Sequence, residues 1–199
     1  TRADLLAGEL ELARGDAAAA TAAYERAQQR LPSTEGVVGL ADALVAAHEL
    51  ARASETLEAW LTEHPDDLTA RETLAQVYLK ANRLERARPL FEALRAEAPD
   101  DPVVLTSLAR LYQLSGDPRA RPLAERAVEL TPDSALALDT LGWIRVTAGD
   151  AAGGLELLRN AISRQASPLV RYHLAQALTE LGRLDEARAE LRKVLRAGQ

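Results

Sequence analysis

The chain predicts an all-α protein built as an array of six helical hairpins. Three observations carry that prediction. Small residues recur at Gly8, Ala41, Ala75, Ala109, Gly142 and Ala175, spaced 33 or 34 apart. A second set recurs at Ala20, Ala53, Ala87, Ala120, Gly154 and Ala187 with the same spacing. The composition is helix-forming: 47% hydrophobic and 27% charged, with only 4% aromatic residues. Ala, Leu, Arg and Glu dominate, where a β protein would be richer in Val, Ile, Thr and aromatics. A fixed period in this range means stacked units, each sharing its apolar face with its neighbours.

Within one period the elements follow in order. Each unit holds two amphipathic stretches of about a dozen residues. The small residues of the two sets let the paired helices approach closely. Large apolar side chains stand four residues beyond the second set at Tyr24, Leu57, Phe91, Leu158 and Leu191, with Ala124 as the exception. The hairpin turns carry Gly15, Asn82, Gly116, Gly149 and Gly182, and His48 takes that place in the second unit; Gly and Asn tolerate the left-handed conformation that ends a helix. Pro32, Pro65, Pro99 and Pro132 close their units. Asp101 before Pro102 and Ser167 before Pro168 read as N-caps with Pro in the first helical position. The unit boundaries are 1–33, 34–67, 68–101, 102–134, 135–167 and 168–199, forming a single array over 1–199. Pro89 and Pro122 fall inside expected second helices, so a bend or a late helix start is expected at each. The last helix, near 184–197, is expected to show Leu191, Val194 and Leu195 to whatever follows.

This pattern resembles the tetratricopeptide repeat, read most fully as Leu74-Ala75, Tyr78, Ala87, Phe91 and Pro99. The resemblance covers essentially the whole chain. It implies a right-handed superhelical α-solenoid with a concave groove lined by the first helix of each unit, and a groove that binds protein or peptide. The groove-facing positions it implies are Glu35, Val38, Asp42, Glu72, Gln76, Leu79, Lys80, Thr106, Arg110, Gln113, Asp139, Trp143, Val146, Tyr172, Gln176 and Thr179. Trp143 and Tyr172 are the expected aromatic anchors. Arg110 is suited to a partner carboxylate, and Gln113 and Gln176 to a partner backbone; Asp139, Gln76 and Lys80 complete the expected binding set. The family's grip on a chain-terminal carboxylate, made by Lys, Asn and Arg, is missing: the matching positions hold Leu5, Glu9, Val38, Asp42, Glu72 and Gln76. Asp4, Glu11 and Arg145 stand where the family usually buries an apolar group, so a loosely packed first unit is expected. Trp60 fills a slot held elsewhere by smaller apolar residues and reads as packing.

The last third has a narrower likeness. Leu141-Gly142-Trp143 with Gly149-Asp150, Arg171-Tyr172-His173-Leu174-Ala175 and Leu181-Gly182-Arg183 are similar to the C-terminal repeats of bacterial envelope lipoproteins of exopolysaccharide and PEP-CTERM sorting systems. That likeness implies a periplasmic, membrane-tethered scaffold, with a cytoplasmic setting as the alternative. The sequence starts at Thr1 without Met and reads as a fragment of a longer protein.

Composition narrows the function. Residues 1–99 carry 11 basic and 17 acidic side chains, and residues 100–199 carry 13 of each. No basic stripe forms, so a nucleic-acid partner is not expected. No apolar run approaches the length of a membrane span. Without Cys, thiolate metal sites and cysteine nucleophiles drop out. His48, His64 and His173 lie in different units without ligand spacing and read as structural or solvent-facing. Asp66-Asp67 and Asp100-Asp101 read as helix caps, not as acid–base pairs. No cofactor, metal or catalytic residue is expected. The leading expectation is a non-catalytic binding scaffold. The alternative is a structural spacer that self-associates into homo-oligomers through its terminal helix.

Overall fold

In a computed structural model, which describes residues 1–197, the chain forms twelve α-helices and no strand among the described residues. Contacts gather into two units, Thr1–Glu97 and Ala98–Gln199, and each is described by itself. Unit 1 contains α1 (Arg2–Arg14), α2 (Ala17–Arg30), α3 (Thr34–Ala46), α4 (Leu50–Glu63), α5 (Leu68–Lys80) and α6 (Leu84–Glu97). Unit 2 contains α7 (Pro102–Leu114), α8 (Ala120–Leu130), α9 (Ala135–Thr147), α10 (Ala151–Arg164), α11 (Pro168–Glu180) and α12 (Leu184–Ala197). In both units each odd-numbered helix pairs with the next helix, and odd-numbered neighbours also touch one another: α1 with α3, α3 with α5, α7 with α9, α9 with α11.

The caps explain where helices begin. Asp16, Ser33, Asp67, Asp101, Ser134, Asp150 and Ser167 each accept a backbone N–H of the first turn, satisfying a donor the helix cannot. Pro102 and Pro168 occupy first-turn positions, as the sequence predicts. At the hairpin turns φ is positive at Gly15, Gly116, Gly149 and Gly182, and also at His48 (62°) and Asn82 (55°). The two prolines act differently. α8 starts at Ala120, on the repeat's small residue, whereas every other second helix starts three residues before it. The late start expected near Pro122 therefore occurs. By contrast α6 starts at Leu84 and continues through Pro89.

The small-residue sets sit at the helix crossings. Ala20, Ala41, Ala53, Ala75, Ala87 and Ala109 are fully buried. At the α9–α10 crossing a Cβ on Gly142 would lie 2.8 Å from the Leu158 side chain, and one on Gly154 2.7 Å from the Gly142 carbonyl oxygen. Of the large apolar residues four positions on, Tyr24 is buried and Leu57, Phe91 and Leu158 are wholly buried, while Leu191 on α12 is exposed.

The first hairpin buries only Asp4 and Gly8 of α1, and polar contacts hold part of it. Asp4 is buried, and its carboxylate pairs with Arg30 at 2.9 Å and Arg26 at 3.5 Å, both on α2. Tyr24 is buried, and its ring lies where side chains on Gly8 and Gly39 would be. Ion pairs and one aromatic wedge thus replace the apolar residues usual at these positions. Trp60 packs as expected but also donates its indole N–H to Asp67 at 2.8 Å. On α12, Leu191 and Leu195 are exposed, while Val194 is half-buried.

Candidate functional site

The odd-numbered helices of unit 2 enclose a pocket of about 140 Å³. α7 contributes Arg110, Gln113 and Leu114; α9 contributes Leu136, Asp139, Thr140, Trp143 and Ile144; α11 contributes Leu169 and His173. Helical geometry explains the selection. Residues three and four apart share one face, and Leu136, Asp139, Thr140 and Trp143 follow that spacing along α9.

The polar groups inside are already engaged. His173 and Asp139 are buried, 9% and 4% exposed, with His173 Nδ1 2.8 Å from an Asp139 carboxylate oxygen. This contact ties the imidazole of α11 to the carboxyl group of α9. The Trp143 indole stacks on the imidazole with centroids 4.4 Å apart and planes 13° from parallel. The Thr140 hydroxyl donates to the Leu136 carbonyl at 2.8 Å. The apolar wall is more open: Leu114, Leu136 and Leu169 are 56%, 49% and 50% exposed. At the rim, the side chains of Arg110 and Gln113 make no hydrogen bond or ion pair among the described residues.

Of the binding set read from the sequence, Trp143, Arg110, Gln113 and Asp139 converge on this pocket. Asp139 is committed to His173. Trp143 also packs against the apolar cluster that includes Leu138, Leu174 and Leu178. Tyr172 is outside the pocket lining, exposed, and accepts a hydrogen bond from Gln176 at 2.8 Å. Gln76 and Lys80 lie on α5 in unit 1. Thr106, Val146 and Leu79, read as groove-facing, are buried, and Thr106 donates to the Pro102 carbonyl.

Sequence reasoning missed the leucines, and it read His173 as structural or solvent-facing without its partner Asp139. Leu136 and Leu169 stand six residues before Gly142 and Ala175, and Val103 stands six before Ala109. Three successive apolar residues at that register, all about half exposed, were the available signal. The pairing was hidden because Asp139 lies 34 residues away, one step off the 33-residue register of Gly142 and Ala175.

Unit 1 offers a different face. An open hollow of about 420 Å³ is lined by Glu9, Glu35 and Asp42 with Leu12, Tyr24 and Val38 among others. Burial pushes the Tyr24 hydroxyl above its ordinary range, and the charges of Glu9, Asp42 and Glu35 push it further. Neighbouring atoms displace water from the Asp42 carboxyl and raise it as well, with the Lys80 ammonium pulling the other way.

Stacked helical hairpins that bury small residues at every crossing define a helical-repeat protein. More narrowly, the tetratricopeptide repeat model matches residues 57–111 and 145–199, more than half of the chain. The chain belongs to the tetratricopeptide repeat family. Solved structures share the fold. A tetratricopeptide repeat protein from Parabacteroides merdae is 18% identical with TM-score 0.73, the match covering 98% of this chain and 78% of that one. MamA, from residue 41 onward, of Desulfovibrio magneticus RS-1 is 23% identical with TM-score 0.64, over 80% and 93% of the two chains. YrrB, described as a tetratricopeptide repeat protein with an unusual peptide-binding site, is 18% identical with TM-score 0.61, over 88% and 97%. No curated protein matches the sequence. No helix among the described residues is long and apolar enough to cross a membrane.

Proposed function

We propose that this protein is a non-catalytic scaffold that holds a protein or peptide in the groove lined by its first helices, with the α7–α9–α11 pocket as the anchor point. Tetratricopeptide repeat proteins generally bind proteins or peptides. The observation that carries the reading is the pocket's wall: three half-exposed leucines beside Trp143, around a space sized for a side chain. Apolar surface left open in a concavity is typical of binding sites. The described peptide-binding site of YrrB, on the same fold, supports it. The His173–Asp139 pair fits a supporting role, since it braces Trp143 from below and joins α9 to α11.

The test is selection of binders from a displayed random peptide library, followed by affinity measurement on Leu136→Asp. That residue is half exposed, so the fold should survive, as circular dichroism would verify. We expect recovered peptides to lose at least about tenfold in affinity, the cost of about 1.4 kcal/mol. Unchanged affinity would remove the pocket from the site.

A second reading, self-association, is supported by α12, where Leu184, Leu191 and Leu195 are exposed on one helix. Light scattering over a concentration series tests it, and a strict monomer at every concentration overturns it. The setting we propose is an assembly of the bacterial cell envelope linked to polysaccharide export. The residue pattern around Trp143 and Tyr172 supports that setting. The full reading frame and its neighbouring genes would test it.

A further inference from the structure

We infer that the pocket between α7, α9 and α11 takes an aromatic ring from a partner segment that also carries an aspartate or glutamate within a few residues, and that Arg110 receives that carboxylate. This inference rests on the peptide-binding reading above and names the partner's chemistry.

Size selects the ring. The pocket measures about 140 Å³. Small-molecule sites run to roughly 300 Å³ and above, whereas a dry apolar cavity of about 150 Å³ is filled by a benzene-sized group. The wall has matching chemistry. Leu114, Leu136, Ile144 and Leu169 supply apolar surface, and the stacked Trp143 and His173 rings supply a flat one. An aromatic ring packs well against such planes in offset or edge-on geometry.

Charge selects the neighbour. Most other arginines of unit 2 meet a carboxylate of their own chain: Arg119 meets Asp117, Arg126 meets Asp100, Arg164 meets Asp133 and Arg171 meets Glu190. Arg110 meets none among the described residues, and Gln113, three residues further along the same face, is also without a partner. Asp139, the acidic residue of the pocket, is already held by His173. The rim therefore presents an uncompensated guanidinium, a fork suited to one carboxylate. A side-chain carboxylate fits better than a chain terminus. One guanidinium and one amide at a half-open rim suffice for a group that stays partly hydrated, while a terminus drawn into the pocket needs more donors than these residues supply.

The experiment uses the full chain and a displayed random peptide library whose members are joined to the display protein at their C-terminal ends, so no free terminal carboxylate is present. Wild type, Arg110→Glu, Arg110→Gln and Leu136→Asp are selected in parallel. Wild type should enrich Phe, Tyr or Trp with Asp or Glu within about four residues. Arg110→Glu should keep the aromatic residue and exchange the acidic preference for Lys or Arg; Arg110→Gln should keep the aromatic residue and lose the charge preference. A recovered peptide, synthesised with an amidated C-terminus, should bind Arg110→Glu about tenfold more weakly than wild type. Aromatic sequences without acidic excess, aliphatic sequences in their place, or an acidic preference that survives Arg110→Glu would each overturn this inference and leave the groove reading standing. Recovered peptides indifferent to Leu136→Asp, or no enrichment at all, would overturn the groove reading and this inference with it.

Discussion

The two units use the same hairpin and present different faces. Six residues before the small residue of each first helix, unit 1 places Arg2, Glu35 and Thr69, while unit 2 places Val103, Leu136 and Leu169. One position after the small residue, unit 1 places Glu9, Asp42 and Gln76, and unit 2 places Arg110, Trp143 and Gln176. Residues 1–99 hold an excess of acidic groups, and residues 100–199 are balanced. The buried positions change far less, being Ala or Gly at every crossing. Packing therefore constrains one set of positions tightly, and the surface of the first helices is free to take on an acidic hollow in one unit and an apolar pocket in the other.

Substitutions at matched positions can break or sharpen this contrast. The largest effect is expected at the fully buried pair Phe91 and Leu158, each four residues beyond its small residue. Phe91→Ala should cost about 3–5 kcal/mol and Leu158→Ala about 2–5 kcal/mol, measured by chemical denaturation. If either cost fell below about 1 kcal/mol, the shared packing plan would fail in that unit. The crossings should separate the units more clearly. Gly154→Ala in unit 2 pushes a methyl group against the Gly142 carbonyl and should cost about 1–3 kcal/mol, despite Ala's higher helix propensity. Ala53→Gly in unit 1 should cost about 1 kcal/mol for propensity alone. A stabilised Gly154→Ala would show that α9 and α10 can move apart.

A smaller effect is expected from Asp67. It caps α5 through Ala70 N–H and also receives the Thr34 hydroxyl at 2.6 Å and the Trp60 indole at 2.8 Å. The caps of α9 and α11 in unit 2, Ser134 and Ser167, are simpler. Asp67→Ala should cost about 1–2 kcal/mol at neutral pH. Burial raises the Asp67 carboxyl, but its hydrogen bonds from Thr34, the backbone and Trp60 more than offset this and leave it below the ordinary range. A depressed carboxyl stabilises above the unfolded value of about 3.9 and loses that contribution as pH falls through the folded value. The stability gap between wild type and Asp67→Ala should therefore narrow as pH is lowered below about 4. A gap independent of pH would mean that the lost packing, not the charge, sets the cost.

Much of the fold was legible because the period acts on buried positions. Gly142, Ala175 and their equivalents must be small wherever two helices cross, and Ser167-Pro168 or Asp101-Pro102 must sit where a helix starts. The site was legible only in part. Periodicity brings Arg110, Gln113 and Trp143 to one face, and the structure places all three on the pocket. It does not say which polar groups partner each other within the chain. Asp139 is taken by His173 on another helix, a pairing that one repeat in isolation does not encode; Gln176 is bonded to Tyr172 four residues before it on α11. The half-exposed Leu136 and Leu169 share the register of Glu35, six residues before the small residue, and were left out of the groove-facing set.

The hairpin corners of unit 1 hold an unused margin. His48 and Asn82 sit at φ of 62° and 55°, a region that costs an ordinary side chain roughly 1–2 kcal/mol and costs glycine almost nothing. His48→Gly should raise the melting temperature, with a gain of about 1 kcal/mol, and leave peptide affinity unchanged, since this corner lies outside the lining of the unit 2 pocket. Robustness and recognition are thus adjustable on separate residues, and a lineage, or an engineer, can temper the frame without retuning what it grips.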